Sequence, residues 1–288
     1  MLFASGGLAA RQSRLNPHRP SLPVDYKDLL YTVDDGVARI TLNRPEKLNA
    51  LSWSTWAEIE TAFIAAEDDD NVRAVLLSGA GRGFCAGSDL TSTLPESEYQ
   101  LRPYRGREGK MRTRFLGTAT VHACRKPTIA AVHGVCVGAG FSLALACDLR
   151  VAALDARFSA IFVKRGITAD TGATWFLPRT VGMERALEMM WTGRMVSGEE
   201  AARIGLVGEA VPADQLEARA LELARQVANG PSLAIELMKR LAYEGLDRDL
   251  ETQIQQEQFL QAATAGSEDA KEGRLSFLEK REPVFRGR

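Results

Sequence analysis

Two glycine-rich turns are the first places where this chain could do chemistry. One is Gly81-Arg82-Gly83-Phe84-Cys85-Ala86-Gly87-Ser88-Asp89-Leu90, and the other is His133-Gly134-Val135-Cys136-Val137-Gly138-Ala139-Gly140-Phe141. Each follows a run that reads as a β-strand, and the second leads into a helix. Backbone N–H groups at a helix start have no partner inside the helix and attract negative charge. Brought together, two such turns could hold one oxyanion between two N–H donors. The second turn also fits GxxxGxG through Gly134, Gly138 and Gly140, a nucleotide-loop spacing with Asp155 as a candidate ribose-binding acid. A nicotinamide oxidoreductase is the weaker reading. About 100 structured residues precede the turn, and no tyrosine has a lysine four residues on.

The surrounding elements follow from local patterns. Leu29–Val33 and Val37–Leu42 flank Asp34-Asp35-Gly36 and read as a β-hairpin. Thr55-Trp56-Ala57-Glu58 reads as a capping box opening a helix to about Glu67. Val72–Ser78, Thr128–Val132 and Asp148–Ala153 read as strands, with a helix opening at Gly138. Residues 91–110 read as a polar loop, followed by a helix over about 111–124. Apolar spacing of three and four predicts helices near 183–192, 198–204, 213–228, 231–243, 248–264 and 268–280. Strands alternating with helices, then a helical tail, imply an α/β core and a helical C-terminal part. The expected organisation is an extension over 1–23, disordered or leader-like, a core over 24–212 and a helical region over 213–288.

Composition excludes several classes. The 288 residues carry 36 Lys+Arg against 37 Asp+Glu, a net charge of -1, which argues against an electrostatic nucleic-acid binder. No apolar run reaches the roughly 20 residues of a membrane span. The four cysteines form no CxxC pair and read as reduced, packed thiols of a cytoplasmic protein. Three histidines without ligand spacing argue against a metal site.

Four segments together resemble the crotonase (enoyl-CoA hydratase/isomerase) superfamily. They are Asn43-Arg44-Pro45-Glu46-Lys47-Leu48-Asn49-Ala50-Leu51, Phe84–Leu90, Lys126-Pro127-Thr128-Ile129-Ala130-Ala131-Val132-His133-Gly134 and Phe277-Leu278-Glu279-Lys280-Arg281, in the family's order from about Tyr26 to Arg288. The resemblance implies an α/β fold, a spiral of ββα turns forming two sheets with a helical C-terminal trimerisation region. It implies homotrimers or dimers of trimers, a coenzyme A thioester as substrate and no cofactor besides that CoA. The oxyanion-hole amides fall on Ser88 and Ala139. An aimed donor of this kind is typically worth roughly 3–4 kcal/mol to an enolate-like transition state. Arg44, Lys47 and Leu48 fall in the stretch bordering CoA, and Ala86, Asp89 and Leu90 around its adenine end. Phe277 and Lys280 fall on the helix that often completes a neighbour's CoA site.

The departures select the chemistry. The two glutamates of family hydratases are replaced by Ser142 and Phe162, neither of which can act as a carboxylate base. Asp170 stands where some family isomerases carry a catalytic aspartate and where the dehalogenases carry a nucleophile. It is expected in a mostly apolar setting walled by Phe162, Trp175 and Phe176, or as a cap for the helix starting near Thr171–Gly172. A double-bond isomerase using Asp170 is therefore expected. The alternatives are hydration by an unconventional base, with Glu96 or Glu98 as second acid, and aspartate-nucleophile hydrolysis or dehalogenation. Against dehalogenation, the helical histidine of that subgroup is Phe115 here. From another class stands a noncatalytic CoA-thioester binder.

Overall fold

A computed structural model describes residues 25–92 and 117–287. The expected extension over 1–23, most of the 91–110 loop, Glu96, Glu98 and Phe115 lie outside the described residues.

The hairpin forms as expected. Strands β1 (Leu29–Asp34) and β2 (Val37–Leu42) pair antiparallel around Asp35 and Gly36, whose φ values are 48° and 75°. Positive φ at both central residues gives the turn the twist that antiparallel strands require. Helix α1 (Trp53–Asp68) starts earlier than its sequence suggested. Its cap is Ser52, paired with Thr55 in a capping box, while the Glu58 carboxylate instead accepts the N–H groups of Lys27 and Asp28.

The chain then winds through repeated strand, strand and helix units. The order is β3 (Ala74–Gly79), α2 (Gly117–Ala123), β4 (Thr128–Val132), β5 (Val135–Val137), α3 (Ala139–Ala146), β6 (Leu149–Ala153), β7 (Arg157–Ser159) and α4 (Ala173–Val181). After α5 (Met183–Thr192) come β8 (Val196–Ser197), α6 (Gly198–Arg203) and β9 (Glu209–Val211). The first sheet has the order β1-β2-β3-β4-β6-β9, parallel from β2 onward, and the second the order β5-β7-β8. Every residue of β4 is buried, as a central parallel strand requires. The short strands β5, β7, β8 and β9 carry too little periodicity to announce themselves. They hold two or three residues each and owe their pairing to the neighbouring strands.

Helix α3 is wholly buried and apolar except for Ser142, so it lies at the centre of the spiral. Phe63, Phe84, Phe141 and Phe158 are among the largest side chains of the core. Helix α7 (Leu216–Ala228) lays Ala220, Ala224 and Ala228 against β3, β4 and β6. Small residues every fourth position let that helix approach the sheet closely. Helices α8 (Ser232–Gly245) and α9 (Leu250–Ala265) bury no residue, and α10 (Glu268–Glu279) buries only Asp269 and Ser276. No described helix is long and apolar enough to cross a membrane.

Candidate active site

The two glycine-rich turns do meet. The Cys85 N–H donates to Val135 O at 2.9 Å and the Val137 N–H to Cys85 O at 3.0 Å, so the first turn joins the second sheet beside β5. On its other side the Leu51 N–H donates to Gly87 O, and the Asp89 N–H donates to Leu51 O. That ladder uses the groups flanking Ser88 and leaves the Ser88 N–H facing away from Leu51. Gly87 has φ 98°, and a Cβ there would stand 3.6 Å from the Ala139 nitrogen. Glycine is thus favoured at this position by its conformation and by the Val137 carbonyl, which a Cβ would meet at 3.1 Å, whereas the Ala139 nitrogen lies at ordinary contact distance. Ala139 opens α3, where its N–H has no acceptor within the helix, and Gly138 before it has φ 56°. Among the described residues neither the Ser88 nor the Ala139 N–H donates to the protein. Ala139 is only 2% exposed, and such a donor acts more strongly away from water.

The second turn does not run straight into its helix, as a nucleotide-binding loop would. Strand β5 intervenes between Gly134 and Gly138, so the GxxxGxG spacing spans a strand of the second sheet. This corrects the dinucleotide-loop reading.

Asn49, which sequence reasoning passed over, organises the first turn. It has φ 56°, is 1% exposed, and its Nδ2 donates to Ala80 O and Gly83 O while Oδ1 accepts the Arg44 N–H. Leu48 (φ 50°) accepts the Ala86 N–H at its carbonyl. The available signal was the residue type, since asparagine is among the few non-glycine residues at ease at positive φ. Arg44 is directed inward: Nη2 meets the Asp89 carboxylate at 2.9 Å and Nη1 donates to Ala50 O. The Arg44 and Asp89 charges are therefore paired with each other beside Ser88. Hydrogen bonds from Thr91, then Arg44, hold Asp89 down to a pKa of about 2. Asp28 also lies below the usual carboxylate range despite desolvation, held there by the Thr55, Ser54 and Ser52 hydroxyls and by Arg44. Lys47 is exposed on the turn Pro45–Lys47, and Leu90 is 80% exposed.

The positions expected to carry hydratase carboxylates are closed to that role. Ser142 is fully buried on α3; it accepts from Thr171 Oγ1 at 2.9 Å, and its own hydroxyl faces Gly138 O at 3.4 Å. Phe162 lies on the helical turn Ile161–Arg165 and joins the core. Its neighbour Ile161 would contact a Cβ on Gly138 at 3.5 Å, so this turn flanks the Ala139 peptide.

Asp170 departs from expectation in its surroundings. It is exposed in the single chain rather than enclosed by Phe162, Trp175 and Phe176, because residues 163–168 leave the core before it. Nor does it cap α4, whose N-cap is Gly172 (φ 90°) with no side-chain acceptor. A Cβ at Gly172 would meet the Phe176 ring at 2.7 Å, which fixes the path of the loop. Thr171, next to Asp170, ties this loop to α3 through Ser142. Trp175 carries Arg179 over its ring at 4.1 Å and packs edge-on to Phe176 and His122.

His122 was not foreseen. Its ring contacts Trp175, Phe176 and Tyr243, and burial first, then Lys239, push it below the usual histidine range. Tyr243 donates to Asp148, which also pairs with Lys239 at 2.7 Å. Only the fold brings α2, α4 and α8 together there. Phe277 (82% exposed) and Lys280 lie on the outer surface of α10 and its C-terminal end. Among the described residues no cluster of side chains could hold a metal ion.

Residues 32–288 match the family described as enoyl-CoA hydratase/isomerase. A protein of Rhodobacter capsulatus named "Probable enoyl-CoA hydratase" is 38% identical over 92% of this chain and 100% of its own. The 1,2-epoxyphenylacetyl-CoA isomerase of Escherichia coli K12 is 36% identical over 90% and 98%. The crystal structure of an enoyl-CoA hydratase from Bacillus anthracis superposes with a TM-score of 0.81 at 31% identity, over 91% of this chain and 100% of that one. Sequence and fold agree, and the chain belongs to the enoyl-CoA hydratase/isomerase family of enzymes.

Proposed function

We propose that the protein is an acyl-CoA double-bond isomerase. The Asp170 carboxylate removes a proton from carbon next to the unsaturated system of the thioester. The electron pair moves onto the thioester oxygen, and the resulting enolate is held by the Ser88 and Ala139 N–H groups. The proton then returns at a different carbon and the carbonyl re-forms, so the double bond has moved with no water added and no oxidant used. Each facing donor lowers the barrier without reorganising, which is where most of the acceleration in such sites arises.

The observation that carries this reading is the state of positions 142 and 162. Ser142 is occupied by Thr171 and Gly138, and Phe162 is apolar, so neither offers a carboxylate to activate a water. Asp170 is then the acid on the loop tied to the oxyanion helix. Hydratase is the commoner name among the relatives, and that favours hydration as the second reading. A homotrimer fits the apolar side chains left exposed on the C-terminal helices, Leu250 and Phe259 on α9 and Phe277 and Leu278 on α10.

The test is deuterium uptake from heavy water into a panel of acyl-CoAs, read by mass spectrometry. Wild type should exchange at least one acyl-CoA, and Asp170→Asn should exchange it at least about 100-fold more slowly. Equal exchange by the variant overturns Asp170 as the base. A product heavier by one water, formed without exchange of the remaining substrate, would assign hydration instead.

A further inference from the structure

We propose that the hydroxyls of Ser142 and Thr171 are a positioning pair that locks the acid loop onto the peptide group of the second oxyanion donor. The inference rests on the isomerase reading and concerns how its two halves are held in register.

Ser142 is a polar residue in a helix otherwise built of apolar ones and glycine, and it is fully buried. A buried hydroxyl persists where its bonds are made. Here Thr171 Oγ1 donates to Ser142 Oγ at 2.9 Å, and Ser142 Oγ donates in turn to Gly138 O at 3.4 Å. The same Gly138 carbonyl accepts the Ser142 backbone N–H at 3.1 Å. Gly138 C=O and Ala139 N–H are the two ends of one planar peptide group. Bonds accepted at that oxygen fix the plane and draw electron density from the nitrogen, so the N–H becomes a stronger donor. The chain of contacts therefore runs from Thr171, adjacent to Asp170, to the atom that faces the developing oxyanion.

Residues 163–168 and Asp170 are exposed on either side of a short stretch that returns to the core. Gly172 sits at φ 90° against the Phe176 ring, and Gly138 at φ 56° against Ile161. Among the described residues the hydroxyl pair is the side-chain hydrogen bond that ties this loop to α3. A proton transfer and an enolate that share one thioester need their two groups in a common frame, and a misplacement of about 1 Å can cost roughly 100-fold.

The experiment compares Thr171→Val, which keeps the shape and loses the hydroxyl, with Thr171→Ser, which keeps the hydroxyl. Both are assayed for deuterium exchange on the acyl-CoA that wild type exchanges fastest. The carbonyl stretch of a bound acyl-CoA is recorded by difference infrared spectroscopy. Thr171→Val should lower kcat about tenfold with KM little changed. Its bound carbonyl should move toward the frequency of free acyl-CoA, and Thr171→Ser should restore both values. Ser142→Ala should act in the same direction as Thr171→Val. Wild-type kcat and an unshifted carbonyl in Thr171→Val would overturn the pair, as would equal damage from Thr171→Ser. If Asp170→Asn still exchanges, the isomerase reading has failed. The carbonyl frequency then still decides whether the hydroxyl pair governs the donor.

Discussion

Replacing Gly87 with alanine separates the site from the fold. The new residue would have to adopt φ 98°, and its methyl would lie 3.1 Å from Val137 O and 3.6 Å from the Ala139 nitrogen. The left-handed backbone costs about 1–2 kcal/mol for an L-residue. Easing the Val137 contact needs a shift of a few tenths of an ångström, and the expected total is about 2–3 kcal/mol. Against an ordinary stability of about 5–15 kcal/mol, more than roughly nine-tenths of the chain stays folded. Activity should fall much further. An oxyanion must lie about 2.7–3.1 Å from its donor, and a methyl in contact with the Ala139 nitrogen competes for that space or pushes the two turns apart. Losing one such donor costs about 100- to 1,000-fold in kcat. Urea unfolding of Gly87→Ala should therefore show a modest loss, while deuterium exchange into acyl-CoA drops at least about 100-fold. Unfolding of that size removes less than a tenth of the active enzyme, so it cannot produce such a drop. A variant destabilised as expected but exchanging at the wild-type rate would refute Ser88 and Ala139 as the donors.

Two further outcomes follow from the same contacts. Asp89 has a native pKa of about 2, set by Thr91 first and then Arg44, below the roughly 3.9 of an unfolded aspartate. The native state therefore binds fewer protons. Its contribution is present in full above pH about 4 and is lost as pH falls through about 2. Asp89→Asn should remove about 1 kcal/mol of that acid-dependent stability, allowing for solvent screening. Urea midpoints between pH 2 and 5 check this, and an identical profile for wild type and variant would contradict it. The cysteines provide a separate check on burial. Cys85 and Cys147 are pushed up to about 12 and Cys124 to about 11 by desolvation, and Cys136 lies well above its ordinary value. Iodoacetamide at pH 8 should label none of these four in the folded protein and all of them in urea. Rapid labelling of any one in the native state would show that its surroundings open.

What could be read from sequence was whatever local chemistry decides. Asp35-Gly36 enforces the hairpin because both residues accept positive φ. The C-terminal helices follow apolar spacing that does not depend on their neighbours. Ser88 and Ala139 were reached through the resemblance of whole segments to a family, and the two glycine-rich turns that carry them do lie against each other. Glu58 has the spacing of a capping partner for Thr55, but the fold brings the Lys27 and Asp28 N–H groups to it, and its carboxylate accepts from them instead. Strands β5, β7, β8 and β9 are two or three residues long and exist through pairing across the chain, so no local pattern marks them. Arg44 and Asp89 fall in stretches expected to border CoA, and their pairing across 45 residues of sequence appears only once the turn closes. The setting of Asp170 depended on where the chain leaves the core after Phe162, and the Ser142–Thr171 link joins residues 29 apart. Local sequence determines which conformations a residue can bear. Which groups then meet is set by packing at long range, and the contacts around this site are of that second kind.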